Sequence, residues 1–230
     1  MINDILLIAF IAGILALDDR AGWQSLLGEP VFTALIIGRL THQMHAAMLA
    51  GVALQLVWLS IGSARGTRRP NTVVGGVVGI ASTCLVLMTT GDTRVSFVVA
   101  AGVFCGLLAG EAGAVVTRVA GEYRERWLVG FRIPDTPEAA SRNLAVYVGV
   151  SALAVVVVNA VAVLVMLPVA TGLADWLTGR LGAVETGAGL WVAALPAFAL
   201  ATIAAAFGNR VAGRYAALGI LAALGAVWLL

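Results

Sequence analysis

Lysine is absent from this 230-residue chain, so all 14 basic residues are arginines. Charge of either sign is scarce: Asp, Glu and Arg together make up 11% of the residues, against about 25% in soluble domains. Water is therefore not the main solvent of this protein. A net charge of +2, with the arginines spread over loops, excludes a nucleic-acid surface. Arginine without lysine, in a chain rich in Ala, Val and Gly, reads as a coding bias and not as a mechanism. The two cysteines, Cys84 and Cys105, lie within apolar segments and lack a second Cys or His at metal-ligand spacing, so they read as packing residues. There is no HExxH, no glycine-rich loop followed by the Lys of a phosphate cradle, and no Ser/His/Asp set. No catalytic residue, metal or cofactor is expected.

What the chain does have is apolar length. Hydrophobic residues make up 61% of it, and mean hydropathy is +1.00. Runs such as Ser151–Leu167 ("SALAVVVVNAVAVLVML") are apolar all round, which excludes the alternating pattern of a β-barrel. The expected class is an all-α, polytopic membrane helix bundle. About six full spans are expected, over 46–63, 72–90, 96–117, 144–170, 187–207 and 215–230. Two further apolar pieces, Ile5–Leu17 and Val31–Leu40, are short for a bilayer and read as re-entrant or interfacial. Asp4 precedes the first piece and no basic region does, so it reads as part of the mature protein and not as a signal peptide.

The arginines set the expected sidedness. Arg65, Arg68 and Arg69 fill one loop, Arg118 to Arg142 the longest polar segment, and Arg210 and Arg214 a third loop, all on the cytoplasmic side. The reading is one membrane domain over 1–230. It divides into short or re-entrant segments at 1–45, a helical core at 46–117, a cytoplasmic polar segment at 118–143, and C-terminal helices at 144–230.

Polar groups inside a membrane cost a few kcal/mol unless paired, so they mark candidate sites. Asp18, Asp19, Gln24 and Glu29 cluster between the two short apolar pieces. Arg39, His42 and His45 end the second piece. Gln55 and Ser60 lie in the next span, and Glu111 stands seven residues before Arg118, where the two read as a structural pair. Asp18 and Gln24 are the preferred members of the first cluster, with Asp19 and Glu29 read as solvated or structural.

The order "ALDDRAGWQSLLGEPVFTALIIGRL", "MLAGVALQLVWLSIGSARG", "RPNTVVGGVVG" resembles the IIC membrane subunit of the mannose/fructose/sorbose family of the bacterial sugar phosphotransferase system. Leu17-Asp18, Gln24, Glu29-Pro30, Leu54-Gln55, Ile61-Gly62 and Pro70-Asn71 carry the resemblance, which is strongest over residues 10–80. It implies a sugar permease subunit in a bacterial inner membrane, with re-entrant hairpins and an oligomeric assembly. A IID membrane subunit would share the sugar path, and soluble IIA and IIB phosphocarrier proteins would supply phosphate. It also implies that Asp18, Gln24, Gln55 and Asn71 hold sugar hydroxyls, which carboxylates and amides do well. Trp58, Ser60 and Glu111 are secondary candidates, Trp58 as a stacking face. Two departures from the family pattern, Gln55 where Glu is usual and "THQMHA" (Thr41–Ala46) where a Gly-Asp turn is usual, leave an alternative open. That alternative is a regulatory or docking protein that kept the fold and lost transport.

Overall fold

The computed structural model describes residues 2–20, 26–62, 70–91, 95–129 and 137–181. They form six helices: α1 (Ile2–Arg20), α2 (Pro30–Leu40), α3 (Met44–Gly62), α4 (Thr72–Thr90), α5 (Val95–Val129) and α6 (Pro137–Leu181). The described chain is thus an all-α helix bundle. Three helices are long and apolar enough to cross a membrane: Thr72–Thr90, Val95–Tyr123 and Asn143–Gly179. That makes this a multi-span membrane protein, with fewer such helices among the described residues than the six spans expected. The expected span at 46–63 corresponds to α3, whose described apolar part, Met44–Trp58, is one of two shorter apolar helices with α2. The expected spans at 187–207 and 215–230 lie outside the described residues, as do Arg65, Arg68, Arg69, Arg210 and Arg214.

Local chemistry explains most helix ends. Pro30 starts α2 at a position where its missing N–H is no loss. At the other end, Thr41 N–H donates to Ile37 O (2.9 Å) and Gln43 N–H to Gly38 O (3.1 Å) around His42, whose φ is +56°. This is a Schellman stop with histidine in the left-handed position that glycine usually takes. Because His42 is exposed, His42→Gly should relieve the strain without removing a contact. Thermal unfolding in detergent should show a gain of about 1 kcal/mol. Asn71 caps α4 by accepting from Val74 N–H (3.0 Å), and Gly91 (φ +58°) ends it.

Helix α4 is the centre of the fold. It touches each of the other five helices, and every residue from Val73 to Leu87 is buried. Glycine makes this possible on the α5 side. A Cβ at Gly75 would stand 2.6 Å from Gly106 O, and one at Gly79 would stand 2.9 Å from Gly102 O. Backbone meets backbone along this seam, the packing that small residues allow in membranes. Helix α1 approaches α6 in the same way, since a Cβ at Gly13 would stand 2.7 Å from Val156 O. Helices α2 and α3 form a hairpin whose turn carries the exposed Arg39, His42 and His45. The stretch read as a polar segment, 118–143, is largely helical: α5 continues through it to Val129 and α6 begins at Pro137.

Candidate functional site

The break between α1 and α2 is held from one side by Asp18. Its Oδ2 accepts from Leu27 N–H at 2.9 Å and is 3.4 Å from Gly28 N–H. These amides belong to a tight turn closed by Glu29 N–H donating to Leu26 O (3.0 Å), with Leu26 at φ +68°. The chain then enters α2 through Glu29 in extended conformation, at the N-cap. A carboxylate in that position ordinarily accepts from an amide of its own first turn. Glu29 makes no such cap. Its Oε2 instead accepts from Gln55 Nε2 on α3, at 2.7 Å in a partly buried setting.

Two polar atoms, one on α3 and one on α2, remain without partners. Gln55 Oε1 and Thr33 Oγ1 are buried with no hydrogen bond among the described residues, and Thr33 is fully buried. The contrast with other hydroxyls is informative. Thr41, Thr83, Thr117, Thr171 and Thr178 all donate to the carbonyl four residues back, at 2.8 to 2.9 Å. Thr33 does not, so α2 and α3 together hold an acceptor and a hydroxyl with unused hydrogen-bonding capacity. A buried polar atom left unpaired costs about 1–3 kcal/mol, so a polar group that reached either atom would gain from pairing with it.

Trp58 closes the site toward α4. It is 5% exposed, and its ring fills a notch: Cβ atoms at Gly75 and Gly110 would stand 2.8 and 3.4 Å from its Cζ2. The indole is occupied by packing on α4 and α5. Asn71 lies one helix away. Its N–H donates to Gly110 O (2.9 Å), and its Nδ2 donates to Asn159 Oδ1 (2.9 Å) on α6. Asn159 in turn donates to Val155 O (2.8 Å). Of the residues singled out in the sequence, the structure therefore brings Asp18 and Gln55 to one turn, with Trp58 beside it. Asn71 is engaged elsewhere. Glu111 and Arg118 are both exposed, with no ion pair between them. Gln24 and the Ser60 side chain lie outside the described residues.

Glu29, read from the sequence as a solvated or structural member of the first cluster, is the partner of Gln55. Two further residues escape the sequence reading. Thr33 gives no signal in sequence, since threonine is common in apolar helices. Asn159 did give one: it is the lone amide in "AVVVVNAVAV". The Asn71–Asn159 pair should show coupling of about 0.6–1.7 kcal/mol in a double-mutant cycle of alanine variants, the range for hydrogen bonds between membrane helices. Asn71→Ala alone should cost about 1 kcal/mol more than Asn159→Ala, because it also removes the α4 cap. Equal costs in denaturation in detergent would remove the capping role.

The fold defines an α-helical membrane bundle, with the Asp18-held turn between α1 and α2. Among curated proteins, the chain is similar to an Escherichia coli (strain K12) protein named "Putative N-acetylgalactosamine permease IIC component 2". The two are 33% identical over 75 residues, which are 33% of this chain and 53% of that protein. The chain thus matches about half the length of that curated relative. It is a distant relative of a permease IIC component. No family model matches the chain, and no solved structure matches it.

Proposed function

We propose that this chain is the membrane IIC subunit of a mannose-type phosphotransferase-system sugar permease in a bacterial inner membrane. The observation that carries the reading is the Glu29–Gln55 hydrogen bond, set on a turn that Asp18 grips. Around it, Gln55 Oε1 and Thr33 Oγ1 offer an acceptor and a hydroxyl to a ligand rich in hydroxyls. Likeness to a protein named as an N-acetylgalactosamine permease component supports the same direction and makes N-acetylgalactosamine the first sugar to try. In this reading Asp18 holds the turn, Gln55 and Glu29 meet the sugar hydroxyls, and Gln24 completes the path. A IID subunit lines the other side of that path, and soluble IIA and IIB proteins deliver the phosphate. The chain needs no nucleophile of its own.

The test is uptake into right-side-out vesicles that carry this chain with its IID partner and enclose phosphoenolpyruvate and the soluble components. Accumulation of labelled sugar phosphate for N-acetylgalactosamine or another hexose is the expected result. Failure across a broad sugar panel, with the complex assembled, would sink the transport reading and leave a docking or regulatory role.

A further inference from the structure

Helix α6 is apolar over most of its length, and two of its few polar side chains, Ser151 and Asn159, lie about two turns apart on the side that meets α5. Ser151 is half-buried and Asn159 buried, whereas Leu153 and Val157 between them are exposed.

The seam between α5 and α6 is not closed. A cavity of about 50 Å³ lies in it, lined by Thr117, Gly121, Ser151, Val155, Val158 and Asn159 among others. Gly121 contributes to the gap, since a Cβ there would meet nothing within 4 Å. Ser151 Oγ is buried and has no hydrogen-bond partner among the described residues. It does not donate back along α6 as Thr171 and Thr178 do. At the inner end stands Asn159, 2% exposed, whose amide keeps one hydrogen beyond its bond to Val155 O. A water needs roughly 10–15 Å³ of such space and two to four polar partners, so the cavity has room for a few waters, with Ser151 Oγ and the Asn159 amide there to bind them.

We propose that the α5–α6 seam is a water-filled crevice that carries solvent past Ser151 to the buried Asn71–Asn159 pair. It is separate from the Glu29–Gln55 site and stands whether or not the chain carries sugar. Water there satisfies the Ser151 hydroxyl and the spare amide hydrogen of Asn159, which packing alone leaves unmet.

The test uses Ag⁺, a thiol-seeking ion close to water in size, on the full chain in lipid nanodiscs. In a Cys84→Ala/Cys105→Ala background, single cysteines are placed at Ser151, at Val158 and at its outward neighbour Val157. Reaction is read as loss of later maleimide labelling of the denatured protein. Ser151→Cys and Val158→Cys should react at least about tenfold faster than Val157→Cys. Equal rates at Val157 and Val158, whether fast or slow, would overturn the crevice. Should Ser151→Cys fail to fold, Val158→Cys decides the matter alone, since cysteine for valine changes little volume.

Discussion

Gln55→Ala should raise the sugar concentration needed for half-maximal uptake by about tenfold in a complex that transports. Losing one neutral hydrogen bond to a ligand costs up to about 1.5 kcal/mol, and every 1.4 kcal/mol is tenfold in affinity. The amide is well placed for such a role. Its Nε2 is fixed on Glu29 at 2.7 Å while its Oε1 stays unpaired, so the group is oriented before a ligand arrives. Gln55→Met separates hydrogen bonding from volume, because methionine fills similar space without the amide. Both variants should behave alike in initial-rate uptake measurements made at equal amounts of folded complex. If both leave half-saturation unchanged, Gln55 is a packing residue and the candidate site is misassigned.

Gly75→Ala is the substitution with the largest expected effect on stability, about 3 kcal/mol lost. An added Cβ would meet Gly106 O at 2.6 Å, Trp58 Cζ2 at 2.8 Å and Gly110 Cα at 2.9 Å. Two of these three atoms are backbone, so no rotamer change relieves the contact and α4 must move away from α5. Forcing extra methylenes into a close-packed core typically costs about 1–3 kcal/mol, and a buried helix pair with no slack belongs at the upper end. Gly149→Ala is the internal control. Nothing stands within 4 Å of its Cβ position, so it should gain about 0.5–1 kcal/mol from helix propensity. A small loss at Gly75, measured against that gain, would mean that the α4–α5 seam is looser than its geometry.

The helices that were legible in sequence are those bounded by strong punctuation. Pro30 and the Pro70-Asn71 pair fix where α2 and α4 begin, and Gly91 fixes where α4 ends. The limits of α5 and α6 were harder to see because polarity is not a helix breaker. Arg118, Glu122 and Arg126 are good helix formers, so α5 runs on to Val129 after its apolar stretch has ended. The candidate site was half legible. Asp18 and Gln55 stood out as polar groups among apolar neighbours. Glu29 stood in the same polar cluster, but its contact with a residue 26 positions away was not legible. Asn71 entered through the family resemblance, and its bond to Asn159 joins positions 88 apart. Periodicity is blind to separations of that size.

The central place of α4 also has a consequence for how the protein is made. Helix α4 is the fourth to leave the ribosome, yet part of its covering comes from α6, which is synthesised after it. Asn159 is 88 residues behind Asn71, a lag of roughly 5–20 s at ordinary elongation rates. During that interval the Asn71 side chain can cap its own helix but has nothing to donate to, and the apolar face that α6 will cover is open to lipid. A nascent chain arrested before residue 159 should leave α4 where a crosslinker can still reach it, and one long enough for residue 181 to have left the ribosome should not.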